Sequence, residues 1–207
     1  MNKPIIRTIS ILAGLFLAGG CAAPVDKPES TGFLSDYSKL ELKEDGHLAY
    51  LGDRAGEYNS FMIDPVSILF ERNVEDPVFS DKEIEELKQY VVDNLKDDLT
   101  KDDGYKVVNT AGQGVARIRI GITELDETIG VLNVSTYTKI TGAGLGGVSA
   151  EGELVDSVSG EQLGAMVRWD SGNRIGRAGY THMGDAKIAI NHWSKELRKV
   201  FDEVHGR

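Results

Sequence analysis

The stretch GVARIRIGITELDE alternates apolar and polar side chains, and it constrains the fold more than any other part of the chain. In a β-strand, successive side chains point to opposite faces of the sheet. The alternation therefore predicts a strand with Ile118, Ile120 and Ile122 on a buried face and Arg117 and Arg119 on the other face. We expect the two arginines to face Asp or Glu side chains across the sheet, and a bound anion is the alternative.

Other segments are rich in Val, Ile, Thr or Tyr and predict further strands. They are YKVVN, GVLNVSTYTKI and EYNSFMIDPVSILFE. The last is interrupted at Pro65, which has no backbone N–H to donate and therefore indicates an edge strand or a bulge. The stretch VSAEGELVDSVSGEQLGAMVRW predicts two strands joined by a turn, in which Asp156 and Gly160 supply the turn chemistry.

Two segments instead have the three-to-four-residue apolar period of an amphipathic helix. The first follows Ser80, which forms a capping-box pattern with Glu83, and we expect it to stop near Gly104. Its apolar positions are Ile84, Leu87, Val91 and Leu95. The second segment is GDAKIAINHWSKELRKVFDEVH, and its apolar positions are Ala186, Ile190, Trp193, Leu197, Val200 or Phe201, and Val204.

The order of elements is a strand, a helix, a run of antiparallel strands and a final helix. This order predicts an α+β fold with two layers, a mainly antiparallel sheet and two amphipathic helices on one of its faces. The glycine-rich stretch TGAGLGG has the spacing of a dinucleotide-binding turn, but that turn requires a helix directly after it, and strand-like sequence follows instead. We therefore expect no cofactor. The glycines predict a flexible or bulged strand connection, or a hairpin over 127–150 that rearranges in an assembly.

The N-terminus has the pattern of a secretory signal, with Lys3 and Arg7 ahead of an apolar run too short to span a bilayer. Cys21 is the only cysteine, and LAGGC resembles the lipobox of bacterial lipoproteins, which implies lipidation of Cys21. We expect a signal peptide over 1–20, the lipidated cysteine and a tether over 21–31, and a single periplasmic domain over 32–207. Ala22 is not acidic, which in Gram-negative lipoproteins favours the outer membrane, so we expect a lipid anchor at its periplasmic face.

The net charge and the types of polar residue limit the classes of function that the sequence allows. Loss of Lys3 and Arg7 with the signal would lower the formal net charge from −10 to −12, which argues against nucleic acid as a partner. The four histidines are scattered, and neither a metal-ligand spacing nor a catalytic constellation is recognisable, so we expect no metal and no catalysis. The best candidate for an interface is the cluster near the end of the last strand: Arg168, Trp169, Arg174, Arg177 and Tyr180. An ordinary loop with arginines that offset the acidic surface is the alternative.

The segment after the tether, TGFLSDYSKL, places Phe33, Leu34, Tyr37 and Leu40 at spacings that can line one side of a helical turn or two. We expect it to dock on the domain, with a partner-binding motif as the alternative. Together with the lipobox, GFLSDYSKL resembles the bacterial lipoprotein family named domain of unknown function 3313. The resemblance implies a location and no particular activity.

These observations predict an outer-membrane lipoprotein whose periplasmic domain binds or scaffolds an envelope protein or a cell-wall component. The first alternative is a homo-oligomeric component of an envelope secretion or transport assembly. The second is a periplasmic hydrolase whose site is assembled from residues distant in the sequence.

Overall fold

The computed structural model describes residues 30–43, 47–71, 78–127, 147–171 and 183–207. Several predictions concern residues outside these ranges. They are the lipidation of Cys21, the strand GVLNVSTYTKI, the first two glycines of the TGAGLGG spacing, and the interface residues Arg174, Arg177 and Tyr180. No helix within the described ranges is both long enough and apolar enough to cross a membrane.

The described residues form a mixed α/β structure with an open, mostly antiparallel sheet and two long helices. The strands are β1 (Glu41–Leu42), β2 (Leu48–Leu51), β3 (Ser60–Ile63), β4 (Ser67–Ile68), β5 (Lys106–Val107), β6 (Val115–Asp126), β7 (Gly147–Asp156) and β8 (Gln162–Ser171), and the helices are α1 (Asp81–Thr100) and α2 (Gly184–Val204). The strand order is β1-β2-β8-β7-β6-β3-β5, and β4 also pairs with β6. Strands β3 and β4 run parallel to β6, and β5 runs parallel to β3. The predicted antiparallel character therefore holds for most of the sheet but not for this side of it.

Helix α1 begins at the predicted position. The Ser80 side chain accepts a hydrogen bond from the Glu83 backbone N–H, and Glu83 returns one to the Ser80 backbone, which completes the capping box. The α-helix ends at Thr100, and a 3-10 turn over Lys101–Asp103, in which Asp102 and Asp103 take positive φ angles of 54° and 53°, continues the helical segment to its C-cap residue Gly104. The prediction that the segment stops near Gly104 is therefore confirmed.

Close contacts also require a residue without a side chain at Gly104. A β-carbon at this position would collide with the Leu99 carbonyl oxygen and with the Arg198 guanidinium. Arg198 Nη1 donates to the carbonyls of Asp98 (2.8 Å) and Lys101 (2.9 Å), so a side chain of α2 satisfies carbonyls that α1 leaves unpaired at its C-terminus.

The β7–β8 hairpin has the predicted turn. The Asp156 carboxylate accepts hydrogen bonds from the backbone N–H groups of Val158 (3.0 Å) and Ser159 (2.6 Å), and Gly160 has a φ of 74°. Gly147 begins a strand rather than a helix, so the arrangement that a dinucleotide turn requires does not follow the glycines.

One hydrophobic cluster joins the sheet to both helices. It contains Ile118 and Ile122 of β6, Leu87 of α1 and Phe201 of α2. The Phe201 ring stacks on Phe61 of β3 at a centroid distance of 4.5 Å. The sequence left open whether Val200 or Phe201 lies on the buried face of α2, and the residue buried there is Phe201. The prediction that Val204 continues the buried face is wrong, because its side chain is 40% exposed.

The opposite face of the sheet is covered by residues 31–40, which we call the strap. The strap contains no helix, so the prediction of helical turns is wrong, whereas the prediction of docking is confirmed. Leu34 of the strap packs in a second cluster with Leu48, Ala165 and Val167. Strands β1 and β2, which were not predicted from the sequence, continue the chain from the strap; β1 pairs with β2, and β2 pairs with β8.

Candidate functional site

An open groove of about 520 Å³ lies between α2 and the β2–β8–β7–β6 part of the sheet. This volume is within the range of pockets that bind small molecules, roughly 300–1,000 Å³. Its inner surface is mainly apolar and includes Ile118, Leu154, Met166, Leu197 and Phe201. We call it the α2 groove.

Strand register explains the depth of the α2 groove. Gly152 of β7 pairs with Met166 of β8, and Gly164 of β8 pairs with Leu51 of β2. Neither glycine contributes a side chain to the floor, and a β-carbon on Gly164 would lie 3.1 Å from Leu51 Cδ1. The hydrophobic side chains Leu51 and Val200 at the groove remain 39% and 37% exposed.

A second, smaller cavity of about 60 Å³ lies between α1, α2 and the sheet. Ile120, Gly152, Met166, Trp193 and Leu197 line both the cavity and the α2 groove. These residues therefore border both spaces beneath α2.

Charged residues also line the α2 groove. They are Lys43, Arg168, Glu196, Lys199 and Glu203, and Lys43 also pairs with Glu41 at 3.2 Å. Arg119 and Glu153 border the groove too, but their paired side chains lie on the strap face of the sheet. Arg168 forms an ion pair with Glu196, and Lys199 lies 3.6 Å from Glu203. Such a site, apolar inside and ionic at its margin, suits a molecule or surface that is itself amphipathic.

The strap face holds a different feature, two carboxylates that are almost completely buried. Glu151 is 1% exposed and Glu153 is 3% exposed. Arg119 forms an ion pair with Glu153, as expected for an arginine facing an acid, and Arg117 pairs in the same way with Asp64 at 2.5 Å. Burial of charged groups is costly unless they are paired and hydrogen-bonded.

The strap supplies most of the remaining hydrogen bonds to these carboxylates. The hydroxyls of Thr31 and Tyr37 donate to Glu151 Oε2 at 2.8 and 2.5 Å. Ser35 donates to Glu153 Oε2 from its backbone N–H at 2.9 Å and from its hydroxyl at 2.7 Å. These glutamates were not predicted from the sequence, although their two-residue spacing in a strand, like that of the two arginines, was the available signal.

The two described members of the predicted interface are not brought together. Trp169 is 58% exposed, whereas the Arg168 side chain is only 11% exposed and lies 5.8 Å from the Trp193 ring centroid of α2. As neighbours in β8 they point to opposite faces of the sheet, so they cannot form one contiguous patch. Their role in an interface remains a prediction.

A polar cluster at the C-terminal end of α2 brings together a tyrosine, an acid and a histidine. The Tyr105 hydroxyl donates to Asp202 at 2.9 Å and lies 3.3 Å from His205 Nδ1. Burial, reinforced by the hydrogen bond to Asp202, raises the pKa of Tyr105 to about 12, so the phenol stays protonated at neutral pH. The His205 ring nitrogens lie 2.6 Å from the Phe201 carbonyl and 3.1 Å from the Tyr58 carbonyl, which ties the imidazole to the backbone.

Within the described ranges, no three His, Cys, Asp or Glu side chains are grouped closely enough to hold a metal ion.

Comparison with solved structures finds similar folds at low sequence identity. A PelC dodecamer from Paraburkholderia phytofirmans is 10% identical with a TM-score of 0.44, and the match covers 72% of this chain and 96% of that one. A hypothetical protein from Chlamydia trachomatis is 12% identical with a TM-score of 0.47, covering 72% and 99%. A lipoprotein from Neisseria meningitidis is 13% identical with a TM-score of 0.36, covering 67% and 96%.

No curated protein matches the sequence. The family model described as Protein of unknown function (DUF3313) matches residues 29–197, a range that includes the strap, both glutamates and most of α2. The chain therefore belongs to the DUF3313 family.

Proposed function

We propose that this protein is anchored by lipid at Cys21 to the periplasmic face of the outer membrane and that its domain binds or scaffolds an envelope component without catalysis. The observation that carries the proposal is the α2 groove, an open apolar site of about 520 Å³ with charged residues along it. Binding sites are typically concave and mainly apolar with a few polar groups, which is the form of this groove.

The polar clusters support the non-catalytic part of the proposal, because their side chains bond to other parts of the fold. Glu151 and Glu153 are covered by the strap, and the His205 ring contacts two backbone carbonyls. These groups stabilise the fold. Among them, only Glu153 borders the α2 groove, and its carboxylate lies on the strap face of the sheet.

The proposal includes the finer architecture expected from the sequence. Helices α1 and α2 form one layer against the sheet face that carries Ile118 and Ile122, with the α2 groove between the layers. The contribution of both helices to a single hydrophobic cluster supports this arrangement.

The test is site-specific photo-crosslinking in intact cells. A photoreactive amino acid replaces Val200, which lines the α2 groove, or Val204, which lies one turn further along the same helix and does not line it. The two side chains are similarly exposed, at 37% and 40%, so they form a matched pair. We expect recurrent adducts at Val200 and few at Val204, identified by mass spectrometry.

Equal labelling at both positions, or no adduct at Val200, would contradict the groove as the binding site. Adducts that contain only a second copy of this chain would instead favour the homo-oligomeric alternative.

A further inference from the structure

We propose that one end of the sheet, on the strap face, is a docking surface for a partner protein segment that carries lysine or arginine side chains. The surface consists of Trp169, Ser149, Glu124 and Asp126, and we call it the Trp169 surface. It lies on the opposite face of the sheet from the α2 groove, so the inference goes beyond the proposed function and does not depend on it.

Strand register brings the four side chains together. Ser149 of β7 pairs with Trp169 of β8 on one side and with Glu124 of β6 on the other, and directly paired residues share a face of the sheet. A β-bulge just before Glu124 shifts the alternation of β6 by one residue. Glu124 and Asp126 therefore join Trp169 on the strap face, while Leu125 packs against the core on the other face.

The Asp126 carboxylate and the Trp169 ring converge over Gly147. A β-carbon on Gly147 would lie 3.5 Å from Asp126 Oδ2 and 3.6 Å from Trp169 Cζ2. Because glycine has no β-carbon, no side chain of β7 separates the carboxylate from the indole at this point. A single ligand group can therefore contact both.

The carboxylates of the Trp169 surface differ from other acids on this face, because they lack a cationic partner. Asp64 and Glu153 each pair with an arginine of β6. In the part of the chain that the structure describes, Glu124 accepts only from the Ser149 hydroxyl, at 3.2 Å, and Asp126 forms no ion pair. Their negative charge is not compensated within the sheet and favours a cation from a partner.

Trp169 supplies an aromatic surface beside these charges. It is 58% exposed, and tryptophan is enriched among the residues that dominate binding at protein interfaces. The face of an indole ring also attracts ammonium and guanidinium groups. The aliphatic stem of a lysine or arginine can lie on the indole while its charged end reaches a carboxylate. A hydrated metal ion would not use the indole, and a neutral sugar would leave both negative charges uncompensated.

The fluorescence of Trp169 provides the test. The chain has two tryptophans, so the full chain carrying Trp193→Phe reports on Trp169 alone. The probe is a blocked five-residue peptide in which two lysines alternate with glycines, and a second peptide carries arginine in place of lysine. The matched control ligand is the lysine peptide with both side chains acetylated, which removes their charge.

We expect the cationic peptides to change the emission of Trp169 saturably and the acetylated peptide to have little effect. Glu124→Gln combined with Asp126→Asn should weaken binding about threefold or more, because each exposed ion pair contributes modestly. The control, Asp53→Asn combined with Asp97→Asn, removes the same charge from exposed positions elsewhere and should change binding less than about twofold.

Three results would overturn the proposal. They are no saturable change with either cationic peptide, an equal response to the acetylated peptide, and equal weakening by the two double variants, which would indicate only a general effect of net charge. A tetramer of N-acetylglucosamine is titrated in parallel. If it binds and the cationic peptides do not, the Trp169 surface recognises glycans and the proposal fails. The α2 groove is tested separately by crosslinking at Val200, so the proposed function can stand when this inference fails.

Discussion

Among single residues, Asp156 gives the clearest pH dependence. A hydrogen bond from the Ser159 backbone, followed by that from the Tyr58 hydroxyl, lowers the pKa of Asp156 to about 2. An unfolded aspartate titrates near pH 3.9, at about the ordinary value. Because the folded pKa is the lower one, the stabilising contribution is complete above about pH 4 and is lost as the pH falls towards 2.

We therefore expect Asp156→Asn to lower the free energy of unfolding at pH 6 and to make progressively less difference between pH 4 and pH 2. Urea unfolding followed by circular dichroism at each pH measures this. Asp97→Asn, at an exposed position of α1, is the control and should show no such convergence. A constant difference between wild type and Asp156→Asn down to pH 2 would contradict the assignment.

At the scale of elements, the strap is expected to be part of the folded domain rather than a loose extension of the tether. Tyr37→Phe removes one hydroxyl, which donates to the buried Glu151 carboxylate and accepts from the Leu34 backbone N–H. Glu151 Oε2 keeps its hydrogen bond from Thr31, whereas the Leu34 N–H loses its acceptor, so we expect a loss of about 1–3 kcal/mol in the free energy of unfolding.

Ser38→Ala provides the matched control within the strap. Ser38 is exposed and its hydroxyl bonds only to Asp36, so we expect a change within about 0.5 kcal/mol. If Tyr37→Phe is equally silent in urea unfolding, the strap does not contribute to the stability of the domain.

The elements differ in how far the sequence predicts them. Helices α1 and α2 follow from an apolar period and a local capping box, which act within a few residues of each other. Strand β2 is four residues long and is held by pairing with β8, more than a hundred positions away, so no local pattern specifies it. The prediction of helical turns in the strap was wrong for the same reason, because its extended course is set by Glu151 and Glu153 on a distant strand.

The positions of the β6 arginines are partly predictable from the sequence. Alternation correctly placed Arg117 and Arg119 on one face with acidic partners. The particular partners, Asp64 and Glu153, depend on strand order and register, which the alternation does not contain. The α2 groove is the feature least predictable from the sequence. It depends on the distance between α2 and the sheet and on two glycines that lie beneath the helix.

For the molecule as a whole, the proposed lipid anchor at Cys21 would determine where the α2 groove can act. Two or three acyl chains on Cys21 would hold the protein stably, since each buried methylene contributes about 0.8 kcal/mol and a single chain binds only marginally. Residues 21–31 would then tether the strap to the membrane, and with at most about 3.6 Å per residue they keep the domain within roughly 40 Å of the bilayer surface. The groove would then remain close to the components of that membrane.

We expect Cys21→Ser to move the protein out of the membrane fraction, because the residue that would carry the proposed anchor is lost.

Ala22→Asp should keep the protein membrane-bound but move it from the outer-membrane to the inner-membrane fraction, since an acidic residue after the cysteine opposes transfer to the outer membrane. Immunoblots of density-gradient fractions measure both. Ala18→Leu, which brings LAGGC closer to the usual lipobox, should leave the wild-type distribution unchanged and serves as the control. A Cys21→Ser protein that stayed entirely with the membrane would contradict the lipid anchor, whereas an unmoved Ala22→Asp protein would contradict only the choice of membrane.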